Sequence, residues 1–346
     1  MSESSREKIT TFAIQRTETM QIYKFNHILK PVLWGGDKLA AFKGLPPQDE
    51  PIGESWELSA VPGRESVVAD GPDKGLTLTQ LIDRYGATLL GDEVYRRFGN
   101  RFPLLIKFID ARRDLSIQVH PGDDMAMRHH GTNGKTEMWY IVDADDGATI
   151  RIGFNRPLSP EEFDRRITDG TILDVVNVVP SRPGHVFHIP AGQIHTIGAG
   201  NLLVEIQQSS DITYRVFDYN RRDADGNLRE LHTSMAREAL SYEPFDGLVN
   251  REPRAEVGEQ SLLACPFFDV RHVDLRQDFT MEWDCSHSFV VLICLEGETE
   301  LRAEDMEPVP LRQGETVLVP AAVKRLEMLG TARLLAVAVP QKCKSD

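Results

Sequence analysis

The chain has 346 residues, a net charge of −14, and is 41% hydrophobic and 27% charged. That length points to two or three units rather than one. The acidic balance argues against non-specific binding to nucleic acid or to anionic membranes, while a small anionic substrate at a locally basic site stays open. No run of about 18 apolar residues exists to span a bilayer. The four cysteines, Cys265, Cys285, Cys294 and Cys343, show no C-x-x-C spacing, which gives no support to a cysteine zinc site or a disulfide framework.

Residues 1–19 are polar and lack an apolar signal-peptide core, so they read as a flexible leader on a reducing, cytoplasmic protein. In 53–60, Glu54, Trp56 and Leu58 alternate with Ser55, Glu57 and Ser59; a strand places the first three on one face, where a tryptophan between glutamates suits a polyol pocket or a half-buried edge. Residues 77–98 carry Leu78, Leu81, Ile82, Tyr85, Leu89 and Leu90 at helical spacing, with Gly86 and Gly91 as dividing points. The apolar run 102–110 predicts a buried strand.

In 115–123, Leu115, Ile117 and Val119 alternate with Ser116, Gln118 and His120. That period of two predicts a strand with an apolar face and a polar face, ended by Pro121-Gly122-Asp123. A polar loop with His129, His130 and Gly131 is expected next, then a strand from Gly134-Lys135-Thr136-Glu137. Gly134-Lys135-Thr136 is no phosphate loop: the required earlier glycine is His129, and a strand follows instead of a helix. Ser159-Pro160-Glu161-Glu162 predicts a helix start with a capping box and a helix to about Asp169. Short apolar runs with turn residues recur to Tyr219, which suggests an all-β sandwich or barrel. Residues 220–259 are polar, with a short helix near 234–241, and the chain is β-rich again from about Ser261.

The motif from Gly184 to Gly192 has an echo from Gly314 to Ala322, and 139–147 has one at 289–297. Two copies of one β unit are expected. The second copy has Arg325 where the first has His195, and His287 where the first has Glu137, so a metal-free structural lobe is expected there.

Gln118, His120, Glu137 and His195 are donors acceptable to Zn²⁺. They come from three separate segments, and His129, His130, His185 and His188 compete with them. Gln118-Val119-His120-Pro121, the 134–140 segment, Pro190-Ala191-Gly192-Gln193-Ile194-His195 and the 205–221 segment occur in the order found in type I phosphomannose isomerases. The sequence resembles the short bacterial branch of that family from near Met20 over essentially the whole chain. The resemblance implies a mainly β fold of two cupin-like (double-stranded β-helix, jelly-roll) units with small helical insertions. With the polar stretch and the internal repeat, the chain divides into a catalytic zinc-binding cupin domain at 20–240, a linker at 241–260 and a second, degenerate cupin-like lobe without metal at 261–346.

The resemblance further implies one Zn²⁺ per chain held by Gln118, His120, Glu137 and His195, an active-site role for Arg215, and Lys135 and Glu205 lining the pocket. The implied substrate is a sugar phosphate, with mannose 6-phosphate and fructose 6-phosphate interconverting through an enediol. Glu205 is the first candidate for the proton-transferring base and a zinc-bound hydroxyl the second. Longer members have His-Lys-Pro-Glu where this chain has Gly134-Lys135-Thr136-Glu137, so any role of that extra histidine is missing here. Two other classes remain. One is a non-heme iron oxygenase built on His120, Glu137 and His195, against which Gln118 argues by filling an open position. The other is a non-catalytic sugar-binding cupin.

Overall fold

The structure is a computed structural model that describes residues 20–222, 225–245, 257–282 and 287–341. The expected leader, most of the expected linker, Cys285 and Cys343 lie outside the described residues; Cys265 and Cys294 are free thiols. Strands dominate, and every pairing between named strands is antiparallel. No helix among the described residues is long and apolar enough to cross a membrane.

Two sheets form the first lobe. The six-stranded sheet runs in the order Val186–Ile189, Glu137–Ala144, Asn201–Gln208, Leu104–Ala111, Ile28–Gly36, Ile52–Leu58. The five-stranded sheet runs Tyr214–Phe217, Ile117–Val119, His195–Ile197, Thr149–Phe154, Val176–Pro180. Their inner faces meet in one apolar cluster: Ile109, Ala111, Trp139, Ile141, Phe187, Ile189 and Leu203 from the larger sheet, Ile150, Ile152 and Ile197 from the smaller. These residues recur with a period of two, the signature of a strand buried on one side. Further along the same inner faces the pattern turns polar, at Lys107, Glu137, Glu205, Gln207 and His195. The sandwich is therefore apolar at one end and charged at the other, and the charged end holds the site.

The outer face of the six-stranded sheet is apolar as well. Met138, Tyr140, Val204 and Ile206 join a cluster with Leu78, Leu81, Ile82, Leu89 and Leu90 from the helical region and with Val270, Phe289, Val291, Leu335 and Val337 from the second lobe. The two lobes thus share a core. The second lobe's sheet starts with Gly258–Ala264, inside the stretch expected as linker, and takes in Tyr23–Asn26, which pairs with Thr316–Val319. The repeat is visible in the pairing: Val186–Ile189 lies against Glu137–Ala144 as Thr316–Val319 lies against Val290–Arg302. Arg325 sits at the surface with Glu282 and Glu327.

Local expectations fared unevenly. The 77–98 region forms three helices, Leu78–Tyr85, Ala87–Leu90 and Asp92–Phe98, broken at Gly86 and Gly91, the first capped by a Thr77–Gln80 capping box. Gly91 has φ +90°, and a Cβ there would lie 2.6 Å from the backbone of His287 and Ser288, so the helices dock on the second lobe only through glycine. The helix Pro160–Thr168 is capped by Ser159, but Glu162 completes no capping box; its carboxylate is taken by Arg156 and Arg166. Residues 123–130 are a helix, not the expected loop, closed by Gly131 in the left-handed region. Leu58 does not share a face with Trp56: a bulge between them turns Leu58 to the shared core, opposite Ile106.

Phe289 lies in that shared core, its ring centroid 4.7 Å from that of Phe102. Phe289→Ala should cost ~3–5 kcal/mol. Because the core is continuous, calorimetry should show a single transition for the wild type; two resolved transitions would mean that the lobes fold independently.

Candidate metal centre

His120, Glu137 and His195 converge from both sheets. Glu137 opens the Glu137–Ala144 strand, and His195 opens the His195–Ile197 strand of the opposing sheet. His120 lies one residue past the Ile117–Val119 strand. Backbone bonds tie the three segments together: Gly192 N–H donates to the His120 carbonyl (2.8 Å), Ala191 N–H to the Thr136 hydroxyl (3.3 Å) and Lys135 N–H to the Pro121 carbonyl (3.1 Å). Gly134 allows that last approach, since a Cβ there would meet the backbone of Gly122 and Asp123 at 2.6 Å.

The donor atoms lie within 4.8 Å of one another, all on buried residues, and no other such group occurs among the described residues. His120 Nε2 is 3.2 Å from His195 Nε2, and the two imidazoles stand 3.4 Å from Glu137 Oε2 and Oε1 respectively. His120 Nδ1–H donates to the Ile212 carbonyl (2.8 Å) and His195 Nδ1–H to the Gln193 carbonyl (2.9 Å). Each bond fixes the tautomer that leaves the Nε2 lone pair facing Glu137. Neither Glu137 oxygen accepts a hydrogen bond, although the Lys135 ammonium stands 2.7 Å from Oε2. The same ammonium stands 3.1 Å from His120 Nε2, while His195 Nε2 and Glu137 Oε1 face one another at 3.4 Å, and buried acceptors facing acceptors are costly unless a cation lies among them. Edges of 3.2–3.4 Å are also about those of a tetrahedron with metal–ligand bonds of ~2.0–2.1 Å. The residues present fit a divalent metal ion.

The charge states agree. Burial lowers the His195 pKa to about 3, with Glu137 opposing, and lowers that of His120 together with Lys135. Burial alone would raise Glu137, but the Lys135 ammonium, the largest opposing influence, holds it well below the usual carboxylate range. Neutral imidazoles and an anionic carboxylate are the forms a metal requires.

The Gln118 amide nitrogen is placed 3.3 Å from His195 Nε2, and a half-turn of the amide would present its oxygen there instead. Gln118 is the cross-strand neighbour of both His195 and Arg215, so the three share a face. Arg215 itself makes no contact within the cluster: one guanidinium nitrogen donates to the Glu230 carbonyl (2.8 Å) and Nε is buried without a partner. Burial, followed by the neighbouring Arg229, lowers its pKa. The competing histidines lie elsewhere: His130 bonds the Tyr214 hydroxyl (2.8 Å), and His129 faces Glu238.

Lys135 and Glu205 stand 3.8 Å apart beside the cluster. Sequence reasoning missed what holds Glu205. Lys107 donates to Glu205 Oε1 (2.7 Å) and to the Gln207 side-chain oxygen (2.9 Å), and Trp139 Nε1–H donates to Glu205 Oε2 (3.2 Å). Burial opposes the Lys107 charge, yet Glu205 and Glu54 raise its pKa. Beyond Lys107, on the same sheet face, Trp56 is buried and its indole N–H donates to Glu54 (2.6 Å). The signal for Lys107 was a lone lysine inside the apolar run 102–110.

Fold and site together define a cupin-type protein with a buried two-histidine, one-carboxylate cluster that could hold a metal ion. The family model for the catalytic domain of type I phosphomannose isomerase matches residues 22–145, and that for the cupin domain of mannose-6-phosphate isomerase matches residues 258–339. The chain is 35% identical over 314 residues to mannose-6-phosphate isomerase ManA of Bacillus subtilis (strain 168), covering 90% of this chain and 96% of that protein. It is 32% identical over 309 residues to the mannose-6-phosphate isomerase of Streptococcus mutans, covering 88% and 94%. The crystal structure of the mannose 6-phosphate isomerase from Bacillus subtilis aligns with TM-score 0.83 at 33% identity, covering 92% of this chain and 99% of that one. The chain belongs to the type I mannose-6-phosphate isomerase family.

Protein stripped of metal should show the imidazole shifts in its stability. The folded state resists protonation at His120 and His195, whereas the unfolded chain binds protons near pH 6.5. Stability is therefore level above about pH 7 and falls below ~6.5 by up to ~1.4 kcal/mol per pH unit for each histidine, down to about pH 3 for His195. Urea midpoints in chelator from pH 8 to 5 measure this, and a slope unchanged in His195→Asn would contradict it.

Proposed function

We propose that this chain interconverts mannose 6-phosphate and fructose 6-phosphate with one zinc ion per chain, held by His120, Glu137, His195 and the oxygen of Gln118. The observation that carries the reading is the set of buried acceptors facing one another, with Lys135 and Glu205 standing beside it. The reaction moves a proton between C1 and C2 of the open-chain sugar through an enediol. When bound, zinc supplies Lewis-acid polarisation of the sugar oxygens.

The side chains divide the remaining work. Glu205 carries the proton; Lys107 and Trp139 fix its two oxygens, so its position is set before substrate arrives. The Lys135 ammonium donates to the oxygen on which negative charge develops. Arg215, on the face shared with Gln118 and His195, supplies a second cation for that charge or for the phosphate. Gln118, if its oxygen serves as a fourth donor, weighs against an oxygenase, which needs open positions on the metal.

Residues 20–240 then form the catalytic unit, although its strand Tyr23–Asn26 lies in the second lobe's sheet, and 261–346 a lobe without metal. A cytoplasmic location belongs to the same proposal, supported by the free thiols of Cys265 and Cys294.

Purified protein should contain zinc and convert mannose 6-phosphate in a coupled assay, lose activity on chelation and regain it with zinc. His120→Ala and His195→Ala should lose metal and activity together; full zinc occupancy in both variants would reject the ligand assignment. Arg215→Ala should lower kcat by roughly 100-fold with zinc content unchanged, and Arg215→Lys should also be impaired because one ammonium does not replace a planar fork. A near-normal kcat would remove Arg215 from the chemistry, and a rise confined to KM would make it a phosphate ligand.

A further inference from the structure

We infer that Lys135 is a built-in competitor for the metal's donors and sets how weakly the site holds its ion. The inference rests on the metal part of the reading above and goes beyond the role given there to Lys135.

The Lys135 ammonium lies 2.7 Å from Glu137 Oε2, 3.1 Å from His120 Nε2 and 3.8 Å from Glu205 Oε1. All four residues are buried. Two of these three atoms are lone-pair donors that a metal needs, and with Nδ1 bonded to the Ile212 carbonyl, Nε2 is the sole free donor of His120. Electron density given to an ammonium hydrogen is withheld from a metal. The charges add to the effect: a lysine a few ångström from a dication, in a site shielded from water, repels it. The segment cannot retreat, because its backbone is anchored to the Pro121 carbonyl and its approach depends on Gly134. What the ammonium has instead is a second anion within reach, Glu205, toward which the side chain moves when the donors are taken. Glu137 thus shares its charge between two cations, which loosens the metal and leaves it a stronger electrophile.

The sign of the effect separates this role from a structural one. A lysine that merely braced Glu137 would, on removal, free the ligand and weaken metal binding. A competitor would, on removal, tighten it.

The test is zinc affinity of the full chain, measured by competition with a chromophoric chelator at fixed pH and ionic strength, with thermal melts to confirm folding. Lys135→Met and Lys135→Gln should each lower the zinc Kd by at least ~10-fold, while Lys135→Arg, which keeps the charge, should stay near wild type. An unchanged or raised Kd in both neutral variants overturns the inference. A wild-type chain that binds no zinc overturns it together with the isomerase reading. A wild-type chain that binds zinc without isomerase activity defeats only the isomerase reading, and a tightened Kd in the neutral variants would still support the competitor.

Discussion

Two backbone carbonyls, those of Ile212 and Gln193, determine what the centre can do. Each accepts the Nδ1 proton of one imidazole, so each Nε2 presents its lone pair to Glu137. Were either bond lost, the ring could take the other tautomer and place a hydrogen where a donor is needed. Both carbonyls belong to loops, one leading into the Tyr214–Phe217 strand and one just before the His195–Ile197 strand. The metal centre is therefore set as much by where two loops cross the end of the sandwich as by the ligand residues themselves.

The sheets make those loops rigid. His195, Gln118 and Arg215 occupy one cross-strand row, and Glu137 opposes Gln207 on the other sheet. A one-residue slip in either register would turn these polar side chains toward the outer apolar clusters. Slippage is opposed on both sides, because Trp139 and Ile141 must face inward while Met138 and Tyr140 must face the second lobe. The second lobe thus contributes to the centre at a distance, by burying the outer face of the sheet that carries Glu137 and Glu205.

Much of this was legible in the sequence where periodicity and local chemistry agree. The alternation in 115–119, the glycine breaks at Gly86 and Gly91 and the Ser159 cap all reappear, and the repeat shows as matching strand neighbours. Failures have separate causes. The 123–130 helix buries only Met125 and Ala126, too narrow a stripe to register as periodicity, although Gly131 stood at its end as a stop signal. Leu58 left its predicted face because a bulge inserts one residue, which no count of two can foresee. The grouping of His120, Glu137 and His195 was reached through motif resemblance; spacing alone left His129, His130, His185 and His188 in competition. The histidine tautomers were invisible, since they depend on carbonyls remote in sequence.

Lys107 shows what a sequence hides and a fold explains. Alone in an apolar strand it reads as an expensive exception, since a buried ammonium without a partner is strongly unfavourable. In the sheet it is one link in an alternating line: Glu137, Lys135, Glu205, Lys107, with successive separations of 2.7, 3.8 and 2.7 Å. The four charges cancel, so the line can be buried without a net charge, and each member orients the next. Such a line is not chosen for stability, because apolar residues of similar volume would pack there at less cost in desolvation. Its consequence is chemical: it keeps a carboxylate and an ammonium fixed and dry beside donors suited to a metal. A sugar entering that end of the sandwich would meet a proton acceptor and a cation already in place, where in water both would have to shed solvent first.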